Sequence, residues 1–198
     1  MVSVEREIEL RLVRRVKAGD VAAFEAVYEA YRPRLYSFLV RLSRRGDVAE
    51  DLLEETWLRL VDRAATLAED TCLAAWLFTV ARNLFTSWCR HRAVDAQRLS
   101  ELVPSWPSPR PGETPFEAAA RSETERRLET ALARVQLRDR EVLLLVAVEG
   151  LLPHEAAAVL GLSPEALRKR LQRARERLVV EMDVHEPERA SPLRAKAG

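Results

Sequence analysis

Residues 142–177 constrain the fold more than any other stretch, because helix stop, turn and start signals follow one another closely there. The apolar run at 142–148 closes at Glu149-Gly150. It is short enough for a buried strand, but the unbroken Arg-Asp-Arg-Glu before it favours a buried helix that ends at Gly150. Pro153 then suits a first helical turn, and Gly161 suits a left-handed helix end.

A further helix is predicted to begin at Pro164, with Ser163 as N-cap and Glu165 at the positive end of the dipole. One face carries an apolar stripe that must pack on the preceding helices: Leu167, Leu171, Ala174 and Leu178. The other side is basic and amide-bearing: Arg168, Lys169, Gln172 and Arg173. A basic run alone usually marks a solvated face. Combined with these turn signals, it predicts a helix-turn-helix that binds DNA bases and phosphates.

Composition adds a second constraint. The 198 residues are 47% hydrophobic, which is enough for two small domains. The net charge of +1 conceals segregation, because acids cluster at 47–55 and bases at 168–177. No apolar stretch has membrane length, and the N-terminus lacks the apolar centre of a signal peptide. We therefore expect a cytoplasmic protein without membrane insertion.

Residues 99–121 are predicted to be a flexible, proline-rich linker between two domains. Nearly all aromatic residues precede it and none follows Phe116, so the two cores differ in chemistry. The capping-box match at Ser122 and Glu125 opens the second domain. No alternating strand pattern occurs, so the predicted fold is all-α. The expected limits are 1–98 for the first domain, 122–183 for the second and 184–198 for a disordered tail.

Gly19-Asp20 and Gly46-Asp47 each fit the end of one helix and the N-cap of the next. On the helix from Asp47, acidic side chains share one side: Asp47, Glu50, Asp51, Glu54 and the adjacent Glu55. Taken alone this is a solvated face. Its purity over two turns also fits a basic partner.

The helix from Leu73 to about Arg92 is predicted to have a core stripe of Leu73, Trp76, Leu77, Val80, Leu84 and Trp88. The opposite side carries Thr79, Arg82, Asn83, Thr86 and Arg90. Phe78 and Phe85 are expected at its edge, where rings could stack on bases of an unpaired DNA strand while cations hold its phosphates. Core packing is the default for each aromatic ring taken singly.

The sequence contains no pattern typical of a catalytic or metal-binding site. Cys72 and Cys89 are too few for a disulfide framework, and Cys89-Arg90-His91 lacks a second ligand pair. A nucleic-acid hydrolase would need a convergent His or carboxylate constellation, which we do not find. We therefore predict no catalytic residues, no metal and no cofactor.

Three stretches, in this order, resemble the bacterial sigma-70 family, specifically the short extracytoplasmic-function (ECF) sigma factors. They are 47–58 (Asp-Val-Ala-Glu-Asp-Leu-Leu-Glu-Glu-Thr-Trp-Leu), 75–83 (Ala-Trp-Leu-Phe-Thr-Val-Ala-Arg-Asn), and 140–175, from Arg-Glu-Val through Glu-Ala-Ala to Leu-Gln-Arg-Ala-Arg. The resemblance covers about residues 20–178. Ser87 stands where the family often has Asp, and Glu165-Ala166 replaces a common Gly-Thr.

The resemblance implies a region 2 domain followed by a region 4 domain. The acidic side, Asp47 to Glu55, would bind the β′ clamp helices of core RNA polymerase, and region 4 would approach the β flap. Thr79, Arg82, Asn83, Thr86 and Arg90 would hold the melting minus-ten element of promoter DNA. Arg168, Lys169, Gln172 and Arg173 would read the minus-thirty-five element. An anti-sigma factor is a further implied partner.

The alternative is a free-standing helix-turn-helix regulator whose first domain binds a ligand or dimerises. It accounts for the basic helix but assigns no function to the acidic side or to the Arg82-Asn83 face.

Overall fold

The computed structural model describes residues 2–96 and 122–183, with side chains for 7–92 and 122–183. Within these residues it has eight α-helices and no strand. The first four are α1 (Val2–Lys17), α2 (Val21–Ser43), α3 (Gly46–Arg63) and α4 (Leu73–Ala96), with a 3-10 turn at Ala64–Thr66. The others are α5 (Glu123–Arg134), α6 (Leu137–Leu143), α7 (Pro153–Leu160) and α8 (Pro164–Asp183). The all-α prediction is confirmed, whereas the predicted linker and tail lie outside the described residues.

The first predicted helix junction is confirmed and the second is wrong. Gly19 has φ of +76°, and Asp20 caps α2 by accepting a hydrogen bond of 3.2 Å from the Ala23 N–H. At the next junction the left-handed residue is Arg44, with φ of +59°, and α3 already begins at Gly46. The Arg44 N–H donates to the Val40 carbonyl at 2.9 Å, which ends α2 before the glycine is reached.

Aromatic packing joins α2, α3 and α4 into the core of the first domain. Phe38 on α2 meets Phe78 on α4 edge to face, with ring centroids 5.2 Å apart. Phe78 is 0% exposed and Phe85 is 3% exposed, so the prediction that these rings lie at the helix edge is wrong. The reason is that α4 packs on α2 and α3 and also on α7 of the second domain. Trp76 and Trp88 are instead only half-buried.

The second domain forms the predicted helix-turn-helix. Ser122 makes the expected capping box with Glu125. The apolar run at 142–148 is helical rather than extended. It begins within α6 and continues as a π-helical turn at Leu144–Val148. Gly150, with φ of +69°, follows the end of this turn. Pro153 opens α7, and Gly161 ends it with φ of +64°. Leu167, Leu171 and Ala174 of the predicted stripe are buried, and Leu178 is partly buried against the same core, so α8 packs as predicted.

The two domains pack against each other, and their buried apolar side chains form one connected cluster. Arg140 lies at this junction. Its guanidinium donates to the carbonyls of Leu132 at 2.8 Å, Ala133 at 2.5 Å and Val135 at 2.9 Å, and to the Arg41 carbonyl of the first domain at 3.2 Å. Burial lowers the pKa of Arg140 to about 10, so it stays charged at neutral pH. Arg140 therefore closes two helix ends with one side chain.

None of the helices within residues 2–96 and 122–183 combines the length and apolar character required to cross a membrane.

Candidate nucleic-acid interface

The outer face of α8 is held towards solvent by the burial of its opposite face. Ser163 caps the helix, because its Oγ accepts a hydrogen bond of 3.2 Å from the Ala166 N–H. All four predicted base-reading residues are exposed: Arg168, Lys169, Gln172 and Arg173. The structure therefore places them together on one accessible helical face.

Contacts on this face are local. Lys169 pairs with Glu165 at 2.7 Å, and Gln172 donates to Glu176 at 3.1 Å, each one helical turn away. Exposed pairs of this kind contribute little free energy, so DNA can displace them at small cost. Arg177 differs, because it forms an ion pair with the largely buried Asp139 and so ties α8 to α6.

The predicted minus-ten face of α4 is divided by the tertiary structure. Asn83 and Arg90 are exposed. Thr79 and Thr86 are half-buried, and their hydroxyls donate to the carbonyls of Ala75 at 2.7 Å and Arg82 at 2.8 Å. These two hydroxyls thus already have acceptors on their own helix.

Arg82 is engaged by the second domain. Its Nε donates to Oε1 of Glu141 on α6 at 2.9 Å. The two side chains are 23% and 5% exposed, respectively, so the ion pair is largely shielded from water. Arg82 is therefore directed at a carboxylate, while Asn83 beside it faces solvent.

Two further ion pairs cross the domain junction, and no sequence pattern predicts them. Arg34 on α2 reaches Glu149 with Nε at 3.1 Å from Oε2, and its Nη2 donates to the Glu149 carbonyl at 2.7 Å. Arg41 pairs with Glu129 at 2.6 Å. Burial raises the pKa of Glu149, and the adjacent Arg34 opposes this shift. The partners are 115 and 88 residues apart, so no local pattern joins them.

The acidic side of α3 faces away from the protein. Asp47 pairs with Arg45, which holds the pKa of that carboxyl below its usual value, and Glu55 pairs with Arg59 at 2.8 Å. Glu50, Asp51 and Glu54 are exposed, and no ion-pair partner for them occurs in the described part of the chain. The same face continues with exposed Leu58 and Val61, beside a groove of about 440 Å³ between α2 and α3.

Cys72 lies at the domain junction rather than in a metal site. Its Sγ–H donates to Glu155 Oε1 on α7 at 3.1 Å. Burial raises the pKa of the Cys72 thiol to about 11, so it is protonated at neutral pH. In the ranges that the structure describes, no group of three His, Cys, Asp or Glu side chains could hold a metal ion.

Comparison with known proteins assigns both halves of the chain. Residues 27–94 match the family "Sigma-70 region 2", and residues 125–178 match "Sigma-70, region 4". The RNA polymerase sigma factor CarQ of Myxococcus xanthus is 33% identical over 83% of this chain and 91% of its own length. The chain belongs to the ECF sigma factors of the sigma-70 family.

Other relatives agree with this assignment. The ECF RNA polymerase sigma factor EcfG of Rhodopseudomonas palustris is 34% identical over 74% of this chain and 77% of its own. The sigma factor RpoE from Bartonella quintana, solved in complex with the anti-sigma factor NepR, is 27% identical and superposes with a TM-score of 0.68, over 83% of this chain and 99% of its own. This sigma factor therefore binds core RNA polymerase and promoter DNA to initiate transcription, and a free-standing regulator is not favoured.

Proposed function

We propose that this sigma factor binds the β′ clamp helices of core polymerase through Asp47, Glu50, Asp51, Glu54 and Glu55 on α3. The observation that carries the proposal is the row of three exposed carboxylates, Glu50, Asp51 and Glu54, which lack ion-pair partners in the described residues. Such a row attracts a basic surface and steers its approach.

Two helices make the proposed promoter contacts. Arg168, Lys169, Gln172 and Arg173 on α8 read the duplex minus-thirty-five element, which their shared exposure supports. Thr79, Arg82, Asn83, Thr86 and Arg90 on α4 hold the minus-ten strand. The domain limits that go with this division are 1–98 and 122–183, with 99–121 as linker and 184–198 as tail.

The mechanism is differential binding rather than catalysis, so the protein is not an enzyme. Duplex contacts by α8 position α4 against a strand that it binds better single than paired. The factor acts in the cytoplasm with core polymerase, which it also contacts at the β flap. An anti-sigma factor regulates it, as the complex of the related RpoE with NepR suggests.

Charge reversal tests the polymerase surface. Asp51→Arg combined with Glu54→Arg is expected to abolish capture of purified core polymerase in a pull-down and to abolish run-off transcription. Binding of duplex promoter DNA by the free protein should survive, because α8 is unchanged. A matched control, Glu123→Arg with Asp183→Arg, reverses two exposed acids of the second domain. Equal polymerase binding by the two double variants would refute the assignment.

A further inference from the structure

The first turn of α4 is capped by a side chain of another helix. Cys72 occupies the N-cap position, since its carbonyl accepts a hydrogen bond of 2.9 Å from the Trp76 N–H. Ser, Thr, Asp or Asn is usual there, because their side-chain oxygens accept from the free N–H groups of the first turn. Glu9 of α1 supplies such an oxygen, as its Oε1 accepts a hydrogen bond of 2.8 Å from the Leu73 N–H. A carboxylate at this end of α4 is also favoured by the helix dipole.

The segment 64–72, which leads from α3 into α4, is attached to α1 as well. Leu67 is 5% exposed, and α1 packs against the 3-10 turn just before it. Arg14 of α1 pairs with Glu69 at 3.2 Å. Most side chains between these attachments are exposed: Ala65, Thr66, Ala68 and Asp70. The segment is therefore a surface loop whose path depends on its contacts with α1.

This loop lies close to the residues proposed to hold the minus-ten strand. Thr79 follows Leu73 by less than two turns of α4, which is about 9 Å along the helix axis. At about 3.4 Å per nucleotide, a strand that runs from Thr79 towards the start of α4 reaches it within about three nucleotides. The position of the loop and of the first helical turn therefore affects how the strand fits.

We propose that Glu9 and Arg14 are positioning residues for promoter opening, because they hold the segment 64–72 and the first turn of α4 in the form that receives the minus-ten strand. The inference rests on the proposed role of α4 at the minus-ten element. Neither residue needs to touch DNA. Loss of the Glu9 carboxylate removes the acceptor of the Leu73 N–H and lets the first turn fray, so strand binding must then also order this turn.

The test uses the full chain with core polymerase, on a promoter that the unchanged protein transcribes and that carries a fluorescent base analogue in its minus-ten element. Glu9→Ala should slow strand opening about fivefold, the effect of losing a helix cap. Glu9→Gln keeps an acceptor oxygen, so its rate should stay within about twofold of the unchanged protein. Glu7→Ala is the matched control, because Glu7 is exposed on the same helix and pairs with Arg11.

Two further measurements separate positioning from a general loss of folded protein. Affinity for core polymerase and for a minus-thirty-five duplex should be the same in all three variants, because α3 and α8 are unchanged. The inference is overturned if Glu9→Ala opens DNA as fast as Glu7→Ala does. It is also overturned if Glu9→Ala weakens polymerase and duplex binding by the same factor as it slows opening.

Charge exchange tests Arg14 without disturbing the core, because the Arg14 and Glu69 side chains are 61% and 64% exposed. Arg14→Glu should slow opening about twofold, as expected for an exposed ion pair. Adding Glu69→Arg should restore the rate. A rate that stays low in the double variant would refute the role of Arg14 in holding the loop.

Asn83→Ala and Arg90→Ala distinguish this inference from the function on which it rests. If both variants open the promoter at the normal rate, the assignment of α4 to the minus-ten strand fails, and the inference fails with it. If both slow opening while Glu9→Ala does not, the assignment stands and only the positioning role is refuted.

Discussion

The basic faces of α8 and α4 look alike in the sequence but differ in the folded protein. On α8, all four predicted DNA-binding residues are exposed, and the contacts of Lys169 and Gln172 lie one turn away in the same helix. On α4, Arg82 is held by Glu141 of the other domain. Whether a basic residue is available to DNA therefore depends on what packs against its helix as well as on the face that carries it.

The substitutions with the largest expected effect on the unfolding free energy test whether α4 and α8 unfold in one cooperative transition. Leu77 on α4 and Leu167 on α8 are both 0% exposed, so changing either to Ala should cost about 2–5 kcal/mol of unfolding free energy. The tryptophans lie at positions 57, 76, 88 and 106, so their fluorescence reports only on the part of the chain before the second domain. Because the buried cluster is continuous, Leu167→Ala should shift the urea midpoint seen by fluorescence. An unchanged midpoint would mean that the domains unfold independently.

A slightly smaller loss of unfolding free energy is expected at the junction between the two domains. Arg140→Ala leaves four backbone carbonyls without their donor, so it should lower the unfolding free energy by about 3 kcal/mol. Arg138→Ala is the control, because that arginine is exposed on the same helix. Urea unfolding followed by circular dichroism measures both. Equal losses would show that the Arg140 contacts contribute nothing specific.

The DNA contacts proposed for the two helices should respond differently when the sigma factor binds core polymerase. Arg168→Ala is expected to cost about 1–3 kcal/mol on a cognate minus-thirty-five duplex, whether or not polymerase is present. Arg82→Ala should weaken strand binding more in the polymerase complex than in the free protein, where Glu141 already occupies Arg82. Fluorescence anisotropy with each DNA measures both changes. Equal losses for Arg168→Ala on all duplex sequences would instead indicate phosphate contacts.

The smallest expected effect is a pH dependence confined to the junction. Burial raises the pKa of Glu149 above its ordinary value of 4.5, so the folded protein binds a proton there more readily than the unfolded chain does. The contribution of Glu149 to stability therefore rises as pH falls from neutral through the folded pKa towards 4.5. Glu149→Gln removes that dependence. Urea unfolding of both proteins across this range should show the unchanged protein gaining relative to the variant, and a constant difference would contradict the prediction.

Local signals in the sequence were sufficient for most helix limits. Asp20 and Ser122 form the predicted caps, and Gly161 ends α7 as expected, because caps and left-handed ends depend on neighbouring residues. The prediction that α2 ends at Gly46 was wrong, because Arg44 already adopts the left-handed conformation. A non-glycine residue in that conformation has no clear sequence signal.

For the candidate sites, the sequence predicted which helix faces are charged but not what each residue contacts. Helical periodicity separated the basic side of α8 from its buried stripe, and the acidic side of α3 from its apolar side. It misplaced Phe78 and Phe85, because α4 is covered by two domains and its apolar face is wider than one stripe indicates.

The sequence by itself determined the family, the helical architecture and the faces that carry charge. Those properties follow from local capping, periodicity and motif order, all of which can be read within a few turns of chain. Only the tertiary structure decided that Arg82 meets Glu141 and that Arg34 and Arg41 meet glutamates of the second domain. Such pairs join residues 59 to 115 positions apart, and the burial of their glutamates exists only once the domains have packed.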